Sequence, residues 1–177
     1  MKDIILIAVT IIFLSACANN NGTSTGNPLV AVQFKSYTPM TVQDIGAMSV
    51  SNLKMCFKRL RFKPVSGLAE NIDLALDEVA VTNAGVLVTT ASIPAGTYSR
   101  VEFDLDPHCA SGKSVQVTNS NGTFTTNQTM TIRFDGNLVL SASQNLDLNI
   151  QAIVSALNNV NSDANIIVQA QSVSGSF

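Results

Sequence analysis

From Leu29 onward the apolar residues fall on alternate positions, and this period of two restricts the fold more than anything else in the chain. Val30, Val32 and Phe34 share one face of a first extended segment, and Ile72, Leu74 and Leu76 share one of another. Val101, Phe103 and Leu105 repeat the pattern, as do Met130, Ile132 and Phe134, and then Leu146, Leu148 and Ile150. Successive side chains of a strand point to opposite faces, so each segment can bury one side and wet the other. Sustained helical spacing is nearly absent. Only "IQAIVSALNNV", residues 150–160, has room for one helical turn or two.

Turn residues punctuate these segments. Asn121-Gly122 between "SVQVT" and "TFTT" is a hairpin signal, Asp135-Gly136-Asn137 reads as a break between two further strands, and Asn83-Ala84-Gly85 marks another turn. About seven or more short strands with no crossover helices predict an all-β fold, an antiparallel β-sandwich of the immunoglobulin-like or prealbumin-like kind.

Two charged stretches offer a register. If "CFKRLRFK" (56–63) runs antiparallel to "RVEFDLDPHC" (100–109) with Cys56 opposite Cys109, then Arg59 faces Asp106, Arg61 faces Asp104 and Lys63 faces Glu102. Leu60 then meets Leu105 and Phe62 meets Phe103. A one-residue slip would set bases against apolar side chains, so the pattern selects its own alignment. Each exposed cross-strand pair contributes only ~0.2–1 kcal/mol, so such a ladder specifies more than it stabilises. Within the first stretch Leu53, Met55 and Phe57 are odd-numbered while Leu60 and Phe62 are even-numbered, which predicts a bulge near Phe57–Arg59. Pro107 disturbs the partner strand at the same level.

Ahead of this region, Lys2 precedes an apolar run from Ile4 to Leu14. As a helix that run rises only about 16 Å against a bilayer core of ~30 Å, so it reads as an export signal over residues 1–16 and not as a permanent span. Leu14-Ser15-Ala16-Cys17 resembles the lipobox of bacterial lipoproteins. The resemblance implies lipidation of Cys17, attachment to the membrane through that lipid, and, with Ala18 next, an outer-membrane address. Two or more acyl chains hold a protein stably where one does so marginally. Residues 17–28, rich in Asn, Gly, Ser and Thr, read as the lipidated cysteine and a flexible stalk, which leaves 29–177 as one domain.

With Cys17 assigned to lipid, Cys56 and Cys109 remain as an even pair in an oxidising compartment, and a disulfide follows; two buried free thiols are the alternative. Charged residues are only 12% of the chain and the formal net charge is −2. Nothing there attracts nucleic acid or an acidic membrane surface.

Asp104, Asp106 and His108 alternate along one stretch, a spacing at which two carboxylates and an imidazole can meet a cation or serve a hydrolase. Against this, the two aspartates are already claimed by Arg61 and Arg59, which leaves His108 as a solvated turn residue. His108 is the only histidine, which excludes a multi-His zinc site. No phosphate loop occurs, and no cofactor is called for. Tyr37 and Tyr98, with no Trp in the chain, are the candidate aromatic contacts for a glycan.

The segments "NIDLALDEVAV" and "SIPAGTYSRVEFDL" resemble the bacterial lipoprotein family called domain of unknown function 4382, in the apolar Asp-Leu strand and the step Pro94-Ala95-Gly96-x-Tyr98 into Val101–Leu105. The resemblance implies an exported β-sandwich and supplies no reaction. The expectation is a non-enzymatic surface module with an envelope protein or glycan as partner. The alternatives are an adhesin-like or carbohydrate-binding module, and a hydrolase using Asp104, Asp106 and His108.

Overall fold

The computed structural model describes residues 26–35, 50–66 and 73–177. Its strands are β1 (Leu29–Phe34), β2 (Asn52–Pro64), β3 (Leu74–Ala75), β4 (Glu78–Val81), β5 (Val86–Ser92), β6 (Gly96–Leu105), β7 (Val115–Asn119), β8 (Gly122–Thr126), β9 (Met130–Leu140), β10 (Gln144–Leu148) and β11 (Gly175–Ser176). Two short helices, α1 (Gln151–Leu157) and α2 (Ile166–Gln171), lie between β10 and β11. Among the described residues no helix is long and apolar enough to cross a membrane.

The strands form an all-β sandwich. One sheet has the order β10-β1-β5, and the other runs β11-β9-β6-β2-β7-β8 with β3 and β4 along the opposite edge of β2. Most pairings are antiparallel, as the alternation suggested, but β1 runs parallel to β10 and β9 parallel to β11. Most of the alternating residues meet between the sheets: Val30, Val32, Phe34, Val101, Phe103, Leu105, Met130, Ile132, Phe134, Leu146, Leu148 and Ile150 are all buried, while Leu76, just past β3, is partly buried against them. Ile72 lies outside the described residues.

Strand β2 organises the larger sheet. Its first half, Asn52–Met55, pairs with β7, and its second half, from Phe57, pairs with β6. The register shifts between Phe57 and Arg59, where the apolar phase changes, so Leu53, Met55 and Phe57 and then Leu60 and Phe62 all reach the core. A bulge turns the strand so that one continuous chain serves two half-sheets.

The hairpin signalled by Asn121-Gly122 forms between β7 and β8, and one local reading is corrected. Asp135-Gly136-Asn137 does not separate strands; it lies inside β9, where two residues oppose one across the register shift between Tyr98 and Arg100. The glycine is needed for close approach rather than for a turn, because a Cβ on Gly136 would lie 2.6 Å from Phe177 Cδ2. The hairpin after β7 turns at Ser120–Asn121, and Gly122, at φ +138°, opens β8.

The expected helical turns over 150–160 form as α1, whose Ile153, Val154 and Leu157 are buried. Asn119, itself buried, donates through Nδ2 to the carbonyls of Asn158 (3.3 Å) and Val160 (2.8 Å), fastening the end of α1 to the β7–β8 hairpin. The second helix, α2, was not expected. It buries Ile166 and Ala170, a single i,i+4 pair, which is too short a pattern to stand out from loop sequence.

Candidate functional site

Cys56 sits where β2 changes partners. Its N–H donates to the Ser114 carbonyl at 2.9 Å, and its own carbonyl accepts from Asp106 N–H at 3.2 Å. The chain between, from Asp106 to Ser114, carries Cys109, and a disulfide joins Cys56 to Cys109 with their Cα atoms 5.9 Å apart. The covalent bond thus spans a point at which the hydrogen-bonded ladder is interrupted.

Around the sulfurs lies a compact polar cluster. Asp106 is buried and accepts from Lys58 Nζ (2.6 Å), from His108 Nδ1 (2.5 Å) and from the His108 backbone N–H (3.1 Å). Lys58 reaches it because the bulge releases that residue from the alternation of β2. The hydrogen bond from Lys58 outweighs burial and, with those from His108, holds the Asp106 carboxyl below the usual carboxylate range. The same Asp106 contact pushes the His108 imidazole above its ordinary value, helped by the Leu76 carbonyl 3.1 Å from Nε2. With an acceptor at each ring nitrogen, the charged imidazolium suits this position.

Asp106 is depressed, so its stabilisation is present above its unfolded value near ~3.9 and is lost as pH falls through the lower folded value. His108 is raised, so its stabilisation is complete below ~6.5 and is lost as pH rises through the higher folded value. Thermal melts from about pH 5 to pH 9 should show the parent chain losing its advantage over a His108→Ala variant as pH rises past about 6.5. An advantage that grows with pH would overturn the Asp106–His108 coupling.

Beside this cluster is an open cleft of about 420 Å³ lined by Lys58, Arg59, Asp104, Asp106, Thr129, Thr131 and Gln171 among others. Among the described residues its lining has no aromatic side chain. Asp104 is held by Arg61 (2.5 Å) and by the Thr131 hydroxyl (2.8 Å), so neither cleft aspartate is unpaired.

The charge ladder exists, but its register differs from the expected one. Arg59 stands opposite Asp104, Arg61 opposite Glu102 and Lys63 opposite Arg100, a displacement of two residues that keeps every side chain on its expected face. The ion pairs Arg61–Asp104 and Lys63–Glu102 (3.8 Å) form diagonally, and Arg61 also meets Glu102 at 3.2 Å. Arg59 pairs instead with Asp73 at 3.5 Å, and Asp106 takes Lys58. The cause is the cysteine anchor: β6 ends at Leu105, so Cys109 reaches Cys56 from a turn through Pro107 and not from a rung of the ladder.

His108 is in that turn, beyond the strand on which the spacing had placed it, yet it is not idle solvent-facing chain. It joins Asp106 and the disulfide, two features the sequence left unconnected. Asp104 is a strand position away, occupied with Arg61 and Thr131. Cys56, His108 and Cys109 hold their ligand-type atoms within 4.8 Å of one another, but the sulfurs are bonded to each other and present no thiolate to a metal. Tyr98 does not serve as a ligand contact: it is buried, edge-on to Phe62 at 5.6 Å, with its hydroxyl donating to the Pro94 carbonyl at 2.8 Å. Tyr37, Cys17 and the stalk up to Thr25 lie outside the described residues. Lys58, Thr131 and Gln171 were missed. For Lys58 the signal was present, since a base inside a predicted bulge is free to leave the ladder.

No family model, curated protein or solved structure matches the chain.

Proposed function

We propose that the chain is an envelope lipoprotein of the outer membrane, tethered through Cys17, whose sandwich is a non-enzymatic binding module with the cleft beside Asp106 as its contact surface. The observation that carries the reading is the Cys56–Cys109 disulfide. It uses the two cysteines left once Cys17 is given to lipid, and such bonds persist in exported proteins. The export leader, the lipobox-like Leu14–Cys17 and the likeness of residues 71–81 and 92–105 to domain of unknown function 4382 point the same way.

A binding role is favoured over hydrolysis because both cleft carboxylates are engaged by cations, Asp104 by Arg61 and Asp106 by Lys58. General acid–base work needs a carboxyl whose proton is exchanged near the operating pH, and the Lys58 contact holds the Asp106 carboxyl below the usual carboxylate range. The polar lining with both charge signs suits an envelope protein segment or a glycan held by hydrogen bonds without ring stacking.

The full chain should carry acyl mass on Cys17 and sediment with membranes, while Cys17→Ala should lose both. Equal membrane partition of the two with no acyl mass in either would remove the tether. A photoreactive residue at exposed Thr129, on the cleft, should give a discrete envelope cross-link. The same residue in the exposed Asn83 turn should give none. Equal labelling from both positions would remove the cleft as the contact surface.

A further inference from the structure

The His108 ring, with a hydrogen-bond acceptor at each nitrogen, is laid against the disulfide, an arrangement that binding at the cleft does not use. His108 Nδ1 is 3.3 Å and Nε2 3.9 Å from Cys56 Sγ, so this sulfur lies beside the ring and near both nitrogens. Cys56 Sγ also lies 3.1 Å from the Cys109 backbone N–H, which donates to it. Cys109 Sγ is farther from the ring, 3.8 Å from Nε2. Exposure runs the other way, since Cys109 is 8% exposed and Cys56 1%. Glu78, the cross-strand neighbour of Cys56, takes the Ser111 hydroxyl at 2.6 Å, and the Asp106 carboxylate is shared between Lys58 and His108. The sulfur best placed to hold negative charge thus belongs to the more deeply buried residue, and its partner belongs to the residue nearer the surface.

We infer that Cys56–Cys109 is a directional exchange disulfide, opened by an external dithiol that attacks Cys109 Sγ and expels Cys56 as the thiolate. Exchange proceeds by in-line attack of a thiolate on one sulfur, and its rate depends on which sulfur is reached and on how readily the other leaves. The electron pair of the incoming thiolate forms a new bond to Cys109 Sγ, and the pair of the old S–S bond departs on Cys56 Sγ. There the His108 imidazolium and the Cys109 N–H stabilise it, as cations and N–H donors stabilise thiolates generally. The second thiol of the reductant then attacks the reductant sulfur of the mixed disulfide, and Cys109 leaves in turn. The two protons given up by the dithiol pass to the two cysteines, so one protein disulfide is reduced and one dithiol is oxidised. The partner implied is a thiol–disulfide oxidoreductase or a small dithiol of the same compartment.

The test uses the full oxidised chain. Limiting glutathione, followed by acid quench, alkylation and peptide mass spectrometry, should find the glutathione on Cys109 and the alkyl group on Cys56. Reduction by dithiothreitol under native conditions should slow about three- to tenfold in His108→Ala, as expected when the leaving thiolate loses the cation beside it. His108→Gln, which keeps a polar side chain without the charge, should be slow as well. In strong denaturant parent and variants should react alike, which separates the ring's effect from any change in the reagent. An adduct mainly on Cys56, native reduction of His108→Ala at the parent's rate, or parent reduction no faster than global unfolding would each overturn the inference.

Discussion

Replacing Phe34 with alanine should cost about 3–5 kcal/mol, the range for deleting a buried aromatic ring from a packed core. Phe34 ends β1 and is 2% exposed. It is the only aromatic residue in the three strands of the smaller sheet. From there it meets Phe57, Phe103 and Phe134 of the opposite sheet, with ring centroids 5.9, 5.6 and 5.7 Å away. Those three rings belong to β2, β6 and β9, so one side chain reaches across the sandwich to three neighbouring strands of its partner. Its loss leaves a void between layers whose backbones are fixed by hydrogen bonds, so collapse is limited. For a domain of this size the melting temperature should fall by about 6–20 °C. Leu29→Ala on the same strand, where the side chain is 54% exposed, should stay within about 0.5 kcal/mol. Equal losses for the two would mean that the sheets are not joined through Phe34.

The sandwich was legible because alternation reports burial on one face directly, and most of the residues it selected are fully buried. The bulge in β2 was legible for the same reason: Phe57 and Leu60 cannot both face the core along an unbroken strand. The parallel pairing of β1 with β10 was not, since the two segments are more than a hundred residues apart and their alternation would fit either direction. At Gly136 the rule for turns was overridden by a tertiary contact, the approach of Phe177 from the other end of the chain. The site was half legible. Residue types alone linked Cys56 to Cys109 and flagged Asp106 and His108, but charge matching is degenerate. A ladder moved by two residues keeps every face and still finds opposite charges, through diagonal contacts such as Arg61–Asp104. What joined the acid, the imidazole and the sulfurs was a turn at Pro107, whose path no periodicity describes.

Removing the disulfide should be the other large loss. The bond closes a loop of 53 residues, and restricting the unfolded chain to that loop corresponds to about 4 kcal/mol on the entropy model, within the 2–5 kcal/mol usual for native disulfides. Geometry suggests that little in the folded state would compensate. At Cys56 the strand leaves β7 for β6, and the bridge holds the turn that carries Asp106, His108 and Cys109 against this gap. A Cys56→Ala/Cys109→Ala chain should therefore melt about 8–16 °C below the parent. Its denaturant m-value should rise, since an uncrosslinked unfolded chain exposes more surface. The reduced parent should behave as the double alanine does, apart from the small packing difference of two thiols. A fall of less than about 2 °C with an unchanged m-value would show that the ladders on either side hold β2 without the bond. Its place at the strand junction would then owe nothing to stability, and exchange chemistry would be the remaining reason for joining those two sulfurs.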